Sequence, residues 1–328
     1  MTMYKDGVYQ FGGVPIGSGM LPAMGKESKA IFVHGSLGGD GNNGRKPSTA
    51  VKTLTRAYAL CTDGAGDVVY ILNDGSTAAT VRDEALVWAK DNCHIIGLGA
   101  PAINQRCRIS NTSTDTVIAN YTPYLTLSAS GCVISNVSWF QGIVTDGSAS
   151  VGMKVTGSRN YISNVSLITG ASANQGDEAL TYQLQVAGSE NVFEKCYIGQ
   201  DTAARSNVAS ANVRFGTGAA DEATRNVFRD CIFPMFADGA GPIFVSSITA
   251  FDTSRWNLME RCTFLNTGTS TITQGISWAD TTGKLFLKDC AFYGLTDITT
   301  GNNAYVQFSG AALGSANDSG MFGTATTT

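Results

Sequence analysis

One phrase is written four times in this chain, each time around a cysteine: VFEKCYI over 192–198, VFRDCIF over 227–233, LMERCTF over 258–264 and FLKDCAF over 286–292. With each cysteine as the centre, the steps are 35 residues from Cys196 to Cys231, 31 to Cys262 and 28 to Cys290. Two earlier segments fit the template with valine at the centre, ISNVSWF on Val137 and ISNVSLI on Val165, 28 residues apart. A repeat of this length is one supersecondary unit that cannot bury its own apolar face. Its copies must therefore stack into a solenoid.

The pattern inside the unit selects the kind of solenoid. Two positions after the centre stand Trp139, Leu167, Ile198, Phe233, Phe264 and Phe292, and three before it Ile134, Ile162, Phe193, Phe228, Met259 and Leu287. Period-2 alternation runs from the centre onward and breaks just before it, which reads as strand, bend with an unpaired residue, strand. A helical repeat would need a longer 3.6-period stripe. The two polar positions alternate in sign from unit to unit: Glu194, Arg229, Glu260, Lys288 in one column and Lys195, Asp230, Arg261, Asp289 in the other. Stacked as parallel strands about 4.8 Å apart, each charge lies beside an opposite one, and a slip of register is penalised.

A further column, Asn160, Asn191, Asn226 and Asn257, lies five residues before the centre. Asparagine tolerates turn conformations, and stacked amides hydrogen-bond along a ladder. The expected fold is thus all-β, a right-handed parallel β-helix, with Cys196, Cys231, Cys262 and Cys290 as an internal stack. CHIIGLG (93–99) and AINQRCRI (102–109) read as earlier rungs. None of the eight cysteines forms a CxxC pair, so the spacing gives no zinc signature, and the thiols read as small buried hydrophobes. Tyr161, Val192, Val227, Leu258 and Phe286 form an outward column that could serve lateral packing between subunits or lie under loops.

A solenoid needs capped ends. Ala30–Val33 reads as a strand, 35–46 as a loop, 47–62 as an amphipathic cap helix with Val51, Leu54, Tyr58 and Cys61 on one face, and Asp67–Leu72 as a returning strand. The expected organisation is an extended N-terminal arm over 1–29, the β-helix over 30–310 and a small, polar tail over 311–328. The arm is Gly-rich with scattered large apolar residues. Tyr4, Tyr9, Phe11, Pro15, Ile16, Met20 and Leu21 are its candidate partner-docking residues.

Chemistry is sparse. The formal net charge of −4 provides no basic footprint for nucleic acid or an anionic membrane. No apolar run reaches the length of a membrane span, and the start lacks a signal-peptide core, which leads to the expectation of cytoplasmic synthesis. The loop Gly39–Gly44 with Arg45 and Lys46 nearly matches a P-loop, but Pro47 stands where Ser or Thr would hold magnesium. His34 and His94 lie beside no nucleophile motif. Asp177, Glu178, Asp201, Asp221, Glu222, Asp252 and Asp280 are candidate carboxylates for carbohydrate cleavage, a chemistry that needs two of them to converge.

The segment DGNNGRKPSTAVKTL resembles the entry segment of pectate-lyase-like β-helical proteins. With MYKDGVYQFGGVPIG at the start and VQFSGAALGSANDSG near the end, the chain resembles a family of tailed-phage proteins encoded beside the major capsid protein. The resemblance covers nearly the whole chain. It implies a virion structural role: a capsid decoration or cement protein on the capsid surface, made in the host cytoplasm. Its implied partners are the major capsid protein and itself, as a homotrimer. It carries over no catalytic residue, cofactor or metal, and leads to the expectation that the chain is not an enzyme. The alternative is a tail fibre or tailspike that binds, or cleaves, host surface polysaccharide. The short TATTT ending argues against the larger C-terminal trimerisation module of tailspikes.

Overall fold

Ile134, Ile162, Phe193, Phe228, Met259 and Leu287 stand level with one another across one parallel sheet. The computed structural model describes residues 10–11, 14–15, 28–76, 80–100, 102–103, 107–112, 114–206, 210–218, 223–249, 255–299 and 304–308. Each full coil sends one strand to each of three parallel sheets. Sheet A has ten strands, from Ala30–Val33 to Val306–Phe308; sheet B eight along its path, from Val81–Arg82 to Ala291–Tyr293, with a ninth, Gln200–Arg205, paired beside it; sheet C eight, from Leu86–Trp88 to Leu295–Thr299. This is a right-handed parallel β-helix. Of the segments expected as earlier rungs, 93–99 contains His94–Leu98 of sheet A, and 102–109 ends inside Arg108–Ser110 of sheet B.

The break in alternation is a one-residue corner between sheets A and B. Asn136, Asn164, Lys195, Asp230, Arg261 and Asp289 all have φ between 50° and 57°. This left-handed turn rotates the next strand onto the adjoining wall and lets the centre residue point inward. A non-glycine residue there costs roughly 1–2 kcal/mol. The corner amide still joins the ladder: Lys195 N–H donates to Arg229 O at 2.9 Å and Asp230 N–H to Glu260 O at 3.0 Å.

One continuous core fills the coil, and its aromatic side chains stack by rung. Phe193 and Phe228 lie 4.5 Å apart at 7°, Phe233 and Phe264 4.7 Å apart at 9°, and Phe264 and Phe292 4.4 Å apart at 7°. Offset-stacked rings at such spacing contribute about 0.5–1.5 kcal/mol beyond area burial.

The cap differs from the helix expected over 47–62. Pro47–Thr49 is a single 3-10 turn, Val51 bridges Val33 in parallel, and the α-helix spans only Leu54–Leu60. Asp40 decides the start: its carboxylate accepts from Lys52 N at 2.8 Å and Thr53 N at 3.0 Å, which holds those residues extended. Thr53 then caps the helix by accepting from Arg56 N at 3.1 Å.

Candidate functional site

The asparagine column runs inside the corner between sheets C and A, and all four side chains are buried. Each amide oxygen accepts from the backbone N–H one coil earlier: Asn191 Oδ1 from Asn160 N, Asn226 Oδ1 from Asn191 N and Asn257 Oδ1 from Asn226 N, each at 3.0 Å. Each Nδ2 donates to a carbonyl of the preceding turn: Ala129, Gly157, Gly188 and Ala223. The cysteine column is likewise buried, and its thiols are free. Each Sγ reaches back to the previous coil, as in Cys231 to Phe193 O at 3.5 Å and Cys290 to Met259 O at 3.4 Å. Burial pushes the Cys231 and Cys262 thiols well above the usual range. These columns hold the frame and have no face on solvent.

On the outside of sheet A the alternating charges meet. Glu260 accepts from Lys288 Nζ at 2.7 Å and from Arg229 Nε at 3.2 Å, and Arg261 stands 3.0 Å away. These cations hold its carboxyl down at about 2. In the second column Arg261 Nε donates to Asp230 at 2.7 Å. Beside the charges runs the column Tyr161, Val192, Val227, Leu258 and Phe286, in register from coil to coil. Its last members border an apolar groove of about 520 Å³ lined by Trp256, Leu258, Phe286, Leu287, Lys288, Gln307 and Phe308.

The docking residues expected in the arm fall mostly outside the described residues: Tyr4, Tyr9, Ile16, Met20 and Leu21 do. Phe11 and Pro15 belong to an antiparallel pair of short strands, Gln10–Phe11 and Val14–Pro15. The tail over 311–328 also lies outside the described residues.

The histidines serve the scaffold. His34 Nδ1 accepts from the backbone N–H of Ser36 at 3.3 Å and of Leu37 at 3.2 Å, with Ser36 Oγ at 3.3 Å. The lone pair that a general base would use is thus engaged in closing a turn. His94 Nδ1 accepts from Val133 N at 3.0 Å, and burial pulls the ring down to about 4, so it is neutral at pH 7. The loop over 39–46 also closes on the chain, with Asn42 Nδ2 donating to Ala50 O at 2.8 Å and Gly44 N–H to Thr49 O at 2.9 Å.

Of the candidate carboxylates, the structure brings Asp177 and Glu178 together with Asp146, Ser148 and Asn174 around an open groove of about 630 Å³ between sheets B and C. Asp146 accepts from the backbone N–H of Ile118 and Ser148, and bonds from Ser148 hold its carboxyl below the usual range. Asp177 Oδ1 accepts from Ser206 N at 2.5 Å and Ser206 Oγ at 2.6 Å. Asp280 is buried, and its carboxylate caps a turn at Gly283. Asp201 is exposed on a strand of sheet B, while Asp221, Glu222 and Asp252 lie outside the described residues. Among the described residues no three His, Cys, Asp or Glu side chains converge as metal ligands would.

Three members of this region were not singled out from the sequence. Asp146 belongs to TDGS, a turn signal that also fits plain solvent exposure. Gln175 is buried and ties the short helix Ala173–Gly176 to the neighbouring loop by donating to Asp146 O at 2.7 Å. Arg205 is buried at the base of the Asp177 loop and donates to Asn212 Oδ1 at 3.0 Å. Burial draws its guanidinium down to about 10, which leaves it cationic at pH 7. Neither residue carries a local signal that marks it as interior.

No family model matches the chain, and no curated protein matches it. Among solved structures it is similar to the pectate lyase Pel9A, with 12% identity over 87% of this chain and 74% of that one, at a TM-score of 0.52. Pectin methylesterase PemA from Erwinia chrysanthemi matches at 13% identity over 87% and 93% of the two chains, with a TM-score of 0.46. A rhamnogalacturonan lyase matches at 11% identity over 86% and 87%, with a TM-score of 0.44. Identities this low speak to fold. They also correct the expectation that the chain is not an enzyme: the architecture it shares with Pel9A is one on which a lyase is built, so the lack of a catalytic motif in the sequence does not decide the matter. The physical reason is that outward side chains of a β-helix are free of the core's packing demands, so active and inactive surfaces stand on the same interior.

Proposed function

We propose that this chain is a virion structural protein of a tailed phage, a decoration or cement protein that binds and stabilises the shell of the major capsid protein. The observation that carries this reading is the outer face of sheet A. An apolar column runs along a rigid rod beside charges that neutralise one another, a surface suited to a protein partner. The terminal segments that resemble the phage family supply its second support. Gold-labelled antibody on intact phage particles is the test. Label over the head is the expected result, and label confined to the tail tip would refute it. Deleting residues 1–29 should abolish capsid binding while leaving the β-sheet circular dichroism intact.

A second reading rests on the groove of Asp146, Asn174, Asp177 and Glu178. Its polar, open lining suits a glycan, as in a tail fibre or tailspike that binds host surface polysaccharide. Incubating the protein with purified host polysaccharide, and following both binding and chain length, tests attachment and cleavage together. Unchanged binding in an Asp177→Asn, Glu178→Gln variant would remove the groove from consideration.

A further inference from the structure

The outer face of sheet A has a symmetry along the rod axis. Six successive coils place Tyr161, Val192, Val227, Leu258, Phe286 and Gln307 in one column. The flanking column reads Ser163, Glu194, Arg229, Glu260 and Lys288. A half-turn about an axis along the strands, passing between the Val227 and Leu258 coils, reverses the coil order. It lays the apolar column on itself and every charge on its opposite: Glu194 onto Lys288 and Arg229 onto Glu260. The same operation places Tyr161, third from the axis on one side, over Gln307, third on the other, which borders the apolar groove of Trp256, Phe286 and Phe308.

We propose that this face binds a second copy of the chain about that two-fold axis, with the two rods antiparallel. Val227 then packs on the partner's Leu258, Val192 on the partner's Phe286, and Tyr161 enters the partner's groove. Glu194 faces the partner's Lys288, and symmetry makes that contact twice. A face-to-face arrangement with parallel rods, including a three-fold one, keeps equal coils level. It sets Glu194 against Glu194 and Arg229 against Arg229, and like charges placed opposite are destabilising. Charge order along the rod therefore favours the antiparallel pair over the homotrimer expected from the family resemblance. The inference rests on the reading of this face as a protein-binding surface and makes the partner a second copy; attachment to the shell then falls to residues 1–29, whose deletion tests it separately.

Glu194 and Lys288 sit three coils apart, about 14 Å, so they act on each other only across the interface. Sedimentation equilibrium of the full chain over a concentration series should give a dimer. Glu194→Lys alone and Lys288→Glu alone should each weaken it by about tenfold or more, because each turns two attractions into two repulsions. The double exchange should bring the affinity back to within about threefold of wild type, although it mends none of the contacts broken within the chain. A second readout needs no substitution. Trp88, Trp139 and Trp278 are at most 6% exposed and Trp256 is 40% exposed, so iodide quenching reports mainly on Trp256. Quenching should fall as protein concentration rises. A monomer at every concentration, a trimer mass, a double exchange that fails to restore association, or quenching independent of concentration would each overturn the proposal.

Discussion

Asn226 sits at the middle of its column, and its side chain both accepts from and donates to the preceding coil. Its Oδ1 accepts from Asn191 N at 3.0 Å, and its Nδ2 donates to Gly188 O at 3.0 Å. Asn226→Ala strands a buried donor and a buried acceptor, each costing about 1–3 kcal/mol. We expect a loss of about 2–4 kcal/mol in urea unfolding, well above that of Tyr293→Ala, which removes a side chain 55% exposed. The thiols supply a second residue-scale prediction. Cys231 and Cys262 are buried and held protonated by burial, and a thiol must ionise to react. In the native protein both should resist a thiol-labelling reagent at pH 8 and react once the chain is unfolded. Rapid native labelling at either position would contradict the internal stack.

At the scale of elements, strand neighbours act as units. Phe264 is fully buried between Phe233 and Phe292. Phe264→Ala opens a cavity in two stacks at once and should cost about 3–5 kcal/mol, read from the shift in denaturation midpoint. Glu260 ties three strands together through Arg229 and Lys288, and these cations hold its carboxyl at about 2 against an ordinary value of 4.5. A depressed carboxylate contributes stability that is fully present above its unfolded value and lost as pH falls through its folded one. Wild type should therefore lose more melting temperature between pH 4.5 and pH 2 than Glu260→Gln does. Parallel melting curves for the two proteins would remove this network from the account of register.

For the whole molecule, each coil touches only its neighbours, so stability is close to a sum of coil and interface contributions. Leu295–Thr299 and Val306–Phe308 are edge strands of sheets C and A. Native-state hydrogen exchange should be fastest there and slowest in the central coils around Leu184 and Val213, which are fully buried. Equal protection along the rod would argue for global cooperativity in place of coil-by-coil behaviour.

The interior was legible because a parallel β-helix repeats its demands in sequence. The corner at Lys195 needs a left-handed residue, the position after it a small buried one, and the place of Asn191 a side chain that both donates and accepts. Those demands return every 28–35 residues, so their period and polarity fix the sheet, the register and the columns. The cap was misread in part because Asp40 sets the helix start from twelve residues away, a contact that periodicity does not encode. The groove at Asp146 was beyond reach for a related reason: its members come from loops of different length, and only the stacking of coils carries Asp146 to Asp177. The sequence by itself determined the solenoid, since backbone pairing and core packing recur with each coil. Tertiary structure alone decided which outward side chains meet, because the core places no demand on them.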